Sequence, residues 1–341
     1  MLTRPVHHLF GLLACLVPQM LGCGSRAPAA KAGANGLEVS QLRYQGASGA
    51  VSFPELAQDL GYLAPLELNW VGNTFSGPQS IQTVVTGDTD FGSAFNGAIV
   101  KLIAAKAPIR AVIGSYGVDA GTWGGFFVKE DSPIRGPRDL IGKKIAVNTV
   151  GAHSEFMLRE YLTRAGLSPA EIKQVTMVVI PPVNGEQALR HGQVDVATLG
   201  GIMRDRALER GHIRLLFSDL ELYGTFTAGS YVFSTKFMRD HPKTVRKFVD
   251  GTGRAIEWAR AQPPEVVRAR LTAIIEKRHR TEDTSLVKYW RSTGIALPAG
   301  EIAEREFQVW VDWLIKDGEL QPGQLALANL YTNDYNPSAR D

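Results

Sequence analysis

The stretch that decides the fold runs from Asp139 to Gly166: Asp139-Leu-Ile-Gly-Lys-Lys-Ile-Ala-Val-Asn-Thr-Val-Gly-Ala-His-Ser-Glu-Phe-Met-Leu-Arg-Glu-Tyr-Leu-Thr-Arg-Ala-Gly166. A short helix is expected over Asp139–Gly142 and a strand over Lys144–Asn148. A glycine-containing turn then leads into an amphipathic helix over Ser154–Ala165, closed by Gly166. Helix, strand, turn, helix is the repeating unit of an α/β domain.

The same alternation extends in both directions. Upstream, strands are expected at Leu37–Tyr44, Leu66–Val71, Asp90–Ser93 and Ile109–Tyr116, with helices at Phe53–Leu60, from Gly77 through Val85, and at Ala98–Ala105. Beyond Gly124-Gly125, Phe126–Lys129, Val175–Ile180, Val194–Leu199 and Ile213–Phe217 read as strands, and Gly185–His191 and Ile202–Arg210 as helices. Thr225–Ser234 is a long apolar strand running back. After His241-Pro242 the pattern changes to long helices: Thr244–Ala261, Pro264–Glu276, Ser285–Ser292 and Glu301–Lys316. Alternation at this spacing predicts a doubly wound, mainly parallel sheet, with ligands held at the carboxyl ends of strands where helix N-termini point. Gly251-Thr-Gly253 falls inside a helical pattern and is expected to serve packing.

The composition excludes several classes. Of 341 residues 44% are apolar and 21% charged, which rules out a wholly disordered chain. The length favours two domains. Lys+Arg 37 against Asp+Glu 34 leaves a net charge of +3, too small to argue for nucleic acid. No run approaches the ~20 apolar residues of a membrane span. Five histidines lie beyond the leader without metal-ligand spacing, so no metal or cofactor is expected. Walker loop, dinucleotide fingerprint and Gly-x-Ser-x-Gly elbow are all missing from the sequence, and no enzymatic activity is expected.

The first segment looks like an export signal. Arg4 precedes an apolar run from Leu9 to Leu21, and thirteen residues span only ~20 Å as a helix, too short to cross a bilayer. Met20-Leu21-Gly22-Cys23 resembles a bacterial lipoprotein box, which implies removal of residues 1–22 and lipidation of Cys23. The alternative is ordinary cleavage near Ala27-Pro28-Ala29. The lipoprotein reading is favoured because the apolar run ends at the cysteine, and residues 23–36 then form an Ala/Gly/Lys tether. Both cysteines, Cys15 and Cys23, lie in the leader, so the mature domains hold no disulfide and no cysteine nucleophile. Location in the periplasm, or on the outer face of the cytoplasmic membrane, follows.

Several pieces occur together in a recognisable order. They are Gln45-Gly46 after the first strand, Gly77-Pro78-Gln79 opening a helix, Asp90-Phe91-Gly92-Ser93, Glu130-Asp131-Ser132-Pro133-Ile134, Asp139 through Val147, and Gly151-Ala-His-Ser154. With the His241-Pro242 helix, the ordered set resembles the nitrate/sulfonate/taurine-type solute-binding proteins of ABC importers, a group that includes binders of thiamine pyrimidine precursors. It covers about residues 37–320. Where sulfonate binders often carry a Trp-containing segment, this chain has Ala197 through Met203, so sulfonate is not inherited with the resemblance.

The resemblance implies a type II periplasmic-binding-protein fold: two α/β lobes joined by a two-strand hinge. Lobe one would comprise residues 37–124 and 231–341, and lobe two residues 125–230. It also implies a monomeric receptor that captures a small organic solute (a sulfonate, a pyrimidine or a related anionic or aromatic compound) and delivers it to a permease and its ATPase. Helix N-termini supply unpaired N–H groups for such a ligand. Candidate contacts are Gln45, Ser52, Gln79, Ser93, Asn96, Tyr116, Thr149, His153, Ser154 and Thr198. Ser154, Thr149 and Asn96 have a simpler reading as helix caps, and His153 as an exposed first-turn residue. Phe53, Phe75, Phe95, Tyr116 and Trp123 gather near the expected strand ends. No Arg or Lys falls in the donor turns, Arg43 being the nearest candidate counter-ion, so a neutral or monoanionic solute is expected. Fungal pyrimidine-precursor synthases share the fold but use a cysteine-rich iron motif that this chain lacks. A sensory lipoprotein is the remaining alternative.

Overall fold

The computed structural model describes residues 36–278, 280 and 282–339. The leader with Cys23, the tether up to Asn35, and His279 lie outside the described residues.

The chain opens with β1 (Gln41–Gly46), α1 (Phe53–Asp59) and β2 (Glu67–Asn73). Ser52 starts α1 with a reciprocal cap. Its hydroxyl accepts from the Glu55 N–H at 3.4 Å, and the Glu55 carboxylate accepts from the Ser52 N–H at 2.8 Å. Next come α2 (Gly77–Thr86), β3 (Phe91–Phe95), α3 (Asn96–Ala104) and β4 (Ile109–Val118). Gly87 ends α2 at φ 82°, a left-handed conformation that glycine takes without steric cost.

The chain then crosses over to β5 (Gly124–Lys129), β6 (Lys144–Val147), α4 (His153–Arg164), α5 (Pro169–Ile172), β7 (Thr176–Val179), α6 (Pro182–Arg190), β8 (Val196–Gly200), α7 (Gly201–Glu209), β9 (Ile213–Ser218) and α8 (Asp219–Tyr223). It returns through β10 (Phe226–Ser234) and finishes with α9 (Thr235–Asp240), α10 (Pro242–Ala261), α11 (Pro264–Lys277) and α12 (Arg305–Lys316).

The strands form three sheets. β7-β6-β8-β5-β9 is five-stranded, β3-β10-β4 is three-stranded, and β1 pairs with β2 in parallel. The two smaller sheets are tied where the Asp90 N–H donates to the Arg43 carbonyl at 2.9 Å. The expectation of mainly parallel sheets needs correction. β10 runs antiparallel to both β3 and β4, and β5 antiparallel to both β8 and β9. Both are crossover strands: each enters the middle of a sheet from the other lobe, against the local direction.

Two further expectations fail locally. Ser285–Ser292 is a loop with one 3-10 turn at Val287–Tyr289. The Asp283 carboxylate captures the Ser285 N–H and hydroxyl, a local bond that competes with helix. The last long helix starts at Arg305, not at Glu301, because the Ile302 N–H is taken by the Asn333 side chain and the Ala303 N–H by Glu306.

One core packs Tyr44, Phe91, Phe233 and Phe248 between the first-lobe strands and α10. A smaller one lies under Phe127, Leu189 and Leu199. The largest is shared between the lobes, where Phe95, Phe156, Trp310 and Trp313 interlock β3, α4 and α12. Gly251 lets α10 lie against the Tyr62-Leu63 backbone: a Cβ there would sit 2.6 Å from Leu63 Cδ2 and 2.8 Å from the Tyr62 carbonyl oxygen. Among the described residues, no helix is long and apolar enough to cross a membrane.

Candidate functional site

The carboxyl ends of β1, β3 and β6 and the starts of α2, α4, α6 and α7 converge on one cleft of about 420 Å³. From the first lobe come Tyr44 through Ala50, Ser52, Thr74 through Gly77, the β3 residues, Tyr116 and Tyr231. From the second come Asn148, Ala152, His153, Pro182, Ile202 and Met203, and Leu286 closes one side. None of these residues carries a full charge at neutral pH.

The charges nearby are spent on one another. Arg43, the expected counter-ion, is bound to Asp90 through its backbone N–H at 2.6 Å and its guanidinium at 2.7 Å, which holds the guanidinium pKa above its ordinary value. The Glu55 carboxylate behind the cleft accepts from the Tyr44 hydroxyl at 2.5 Å and pairs with Arg278 at 2.9 Å. Burial raises the pKa of the Tyr116 and Tyr231 hydroxyls, so both present neutral phenols. Among the described residues there is no group of three or more His, Cys, Asp or Glu that could hold a metal ion.

Of the candidate contacts, the cleft wall brings together Gln45, Ser52, Ser93, Tyr116 and His153. Ser52 is engaged by Glu55 through its hydroxyl at 2.8 Å, and Ser93 donates to the Ser115 hydroxyl at 2.7 Å. Gln45 and His153 are different. Gln45 Oε1 and His153 Nε2 are enclosed and lack a hydrogen-bond partner in the protein. They come from opposite lobes.

The other five lie off the lining. Asn96 is fully buried: its amide donates to the Thr227 and Glu306 carbonyls at 3.1 and 3.2 Å and accepts from the Ser230 hydroxyl at 2.8 Å. Gln79 is exposed on α2, its N–H taken by the Ser76 cap. Thr198 donates to the Ala146 carbonyl at 2.9 Å, stitching β8 to β6. Ser154 sits one residue past His153, outside the wall. Thr149 lies at the rim, 3.3 Å from the Ser76 hydroxyl. A second bridge forms there, where the Asn148 amide donates to the Phe75 carbonyl at 3.0 Å.

Ser76 and Asn148, which join the lobes, and Tyr44 and Tyr231 in the wall escaped the sequence reading. Tyr44 and Asn148 stood next to residues already singled out, at the ends of expected strands. Tyr231 had no such signal, because it belongs to the strand expected as a hinge. Phe53 and Trp123 pack elsewhere. Trp123 lies under the Arg204 guanidinium at 4.0 Å. Gly229 clears the space that Tyr116 fills: a Cβ there would come within 2.7 Å of the Tyr116 ring and of the Ala94 carbonyl oxygen.

Two lobes of α/β structure joined by two crossovers, with a cleft where strand ends and helix starts meet, define the type II periplasmic-binding-protein fold. Residues 56–266 match the model of the NMT1/THI5-like family, and the chain belongs to that family. Among solved structures, the fold is shared with the alkanesulfonate-binding protein SsuA of Xanthomonas axonopodis pv. citri bound to MOPS. That match has TM-score 0.65 and 21% identity over 86% of this chain and 98% of that one. It is shared also with the periplasmic nitrate-binding protein NrtA of Synechocystis PCC 6803, at TM-score 0.69 and 12% identity over 88% of each chain. A DszB mutant in complex with biphenyl-2-sulfinic acid has TM-score 0.57 and 18% identity over 86% of this chain and 97% of that one. No curated protein sequence matches the chain.

Proposed function

We propose that the protein is an extracytoplasmic solute-binding receptor that closes its lobes on a small, uncharged, planar solute and delivers it to the permease and ATPase of an ABC importer. The observation that carries this reading is an aromatic cleft without charged lining residues whose opposite walls bring up Gln45, with its Oε1 enclosed and unpartnered, and the His153 imidazole. A buried polar atom without a partner is costly, and a ligand that supplies the missing bonds to both walls stabilises the closed arrangement. Tyr44, Phe91, Phe95 and Tyr116 line the cleft with aromatic rings, which suits a flat molecule. A sulfonate or nitrate ion would meet only neutral donors here. The sequence of the leader, with its lipoprotein-like Met20-Leu21-Gly22-Cys23, supports a periplasmic receptor tethered through a lipid on Cys23 and acting as a monomer.

A thermal-shift screen of the purified protein tests the solute class. Neutral pyrimidines and related heteroaromatic rings at ~100 times Kd add about 2.7 kcal/mol of apparent stability, while alkanesulfonates and nitrate add none. Gln45→Leu abolishes the shift. Stabilisation by alkanesulfonates or nitrate alone overturns the uncharged-solute reading.

A further inference from the structure

His153 opens α4 and lies between the lobes. Its ring stacks on Phe95 at 4.8 Å and 5°, tilts against Tyr116 at 6.0 Å, and meets the edge of Phe226 at 6.1 Å. Nε2 is 3.4 Å from Oδ2 of Asp219, the first residue of α8, and is enclosed. The Asp219 carboxylate is itself buried and accepts from the N–H of Gly124, the first residue of the crossover strand β5, at 2.9 and 3.0 Å. Nε2 thus faces Asp219, and the ring's other edge, with Nδ1, is the one left to the cleft that His153 lines.

The surrounding elements add little charge. Phe95 and Phe226 are apolar, and Tyr116 is a neutral phenol. Glu155, on His153's own helix, spends its carboxylate on the Gly151 N–H at 2.6 Å. Glu221 of α8 is held by the Ser218 N–H at 2.8 Å. Arg204 of α7 acts on Asp219 from a distance while its guanidinium bonds the Trp123 and Gly121 carbonyls and its neighbour Asp205. The exchangeable proton nearest the ring therefore belongs to Asp219.

We propose that Asp219 and His153 together set the hydrogen-bonding polarity of the cleft. With Asp219 ionised, the carboxylate holds the imidazole as the Nε2–H tautomer, and Nδ1 presents a lone pair that accepts from an N–H or O–H of the solute. With Asp219 protonated, its carboxyl donates to Nε2, the ring hydrogen resides on Nδ1, and the cleft presents a donor instead. One proton is taken from water onto Oδ2, and the ring hydrogen moves from Nε2 to Nδ1 by exchange with water in the cleft. The ring stays neutral throughout. Burial drives both groups this way: it pushes the Asp219 carboxyl up to about 7, despite the Gly124 N–H, and the His153 imidazole down to about 4. The inversion thus falls near neutral pH, and Asp219 is a positioning residue acting through His153. The consequence for solute choice rests on the receptor reading above, whereas the proton chemistry stands without it.

The test needs no solute. The protein purified from cells expressing the full chain is labelled with 15N at its histidine rings, and two-bond ring correlations are followed from pH 8.5 to 5.5. The His153 resonances are those missing in His153→Gln. At pH 8.5 they show Nε2 protonated and Nδ1 bare; by pH 5.5 the two exchange roles without imidazolium, in one transition near pH 7. Asp219→Asn removes that transition. An unchanged tautomer across the range, conversion to imidazolium near 6.5, or persistence of the transition in Asp219→Asn overturns the proposal. The wild-type titration decides alone should the variant fail to fold. Failure of the solute screen leaves this result untouched, so the two readings are separable.

Discussion

Asn96 offers the sharpest test of the division between fold and cleft. Its side chain sits in the first turn of α3 and makes three bonds: to β10 at the Thr227 carbonyl, to α12 at the Glu306 carbonyl, and from the Ser230 hydroxyl. Replacement by alanine removes all three. The Glu306 carbonyl lies in the first turn of α12 and keeps the amide four residues on, so its loss is small. The Ser230 hydroxyl is fully buried and loses its acceptor, which costs about 1–3 kcal/mol. Adding about 1 kcal/mol for the remaining bonds and the space vacated gives roughly 3 kcal/mol. At about 2.1 cal/mol/K per residue over roughly 300 folded residues, that lowers Tm by about 5 °C. Asn96→Asp is worse at neutral pH, because an oxygen then faces two carbonyl oxygens and the buried carboxylate has its pKa raised. Its folded form binds a proton more readily than its unfolded form, so it regains stability as pH falls from 7 towards 5. Urea unfolding followed by circular dichroism at pH 7 and pH 5 measures both. An alanine variant within 0.5 kcal/mol of wild type, or an aspartate variant indifferent to pH, refutes the account of Asn96 as an interlock of the fold.

Three other outcomes are expected. Asp219 is raised to about 7 from 3.8, so its folded form takes up a proton first and stability climbs as pH drops from 8 to about 6.5. Below that, His153, lowered to about 4 from 6.5, charges first in the unfolded chain and cancels the gain. Melting scans from pH 8.5 to 5 therefore rise and then flatten, and Asp219→Asn loses the rise. Gly251→Ala drives a methyl into Leu63 and the Tyr62 carbonyl and lowers unfolding free energy by about 1–3 kcal/mol in urea titrations, with no effect expected on solute binding. Ser76→Ala removes both the α2 cap and the contact with Thr149, costing about 1 kcal/mol by the same titrations.

The order of strands and helices was legible in the sequence because each is short, amphipathic and punctuated by glycine, as Lys144–Val147 and the helix ended by Gly166 show. Strand direction was not. Nothing in the apolar run of β10 says that it enters between β3 and β4 against both, since a buried central strand is apolar whichever way it runs. At the cleft, Gln45 and His153 were found from their places at a strand end and a helix start. Asn96 held the same kind of place but faces inward, because Phe95 precedes it and takes the cleft side of the turn. Gln79 faces outward because Ser76 already satisfies the helix start. Which side of a helix's first turn meets a ligand depends on the neighbouring lobe, which no local pattern encodes.

The absence of charged side chains among the described residues that line the cleft has a kinetic corollary. With no charged side chain in the lining to steer an incoming molecule, encounter gains little from electrostatic attraction, and ionic strength has little to screen there. Chloride, phosphate and sulfate find no cation to occupy, so they do not compete. Under the proposed receptor role, capture would hold alike in brackish and fresh surroundings, where a cleft built on arginine would lose its grip as salt rises.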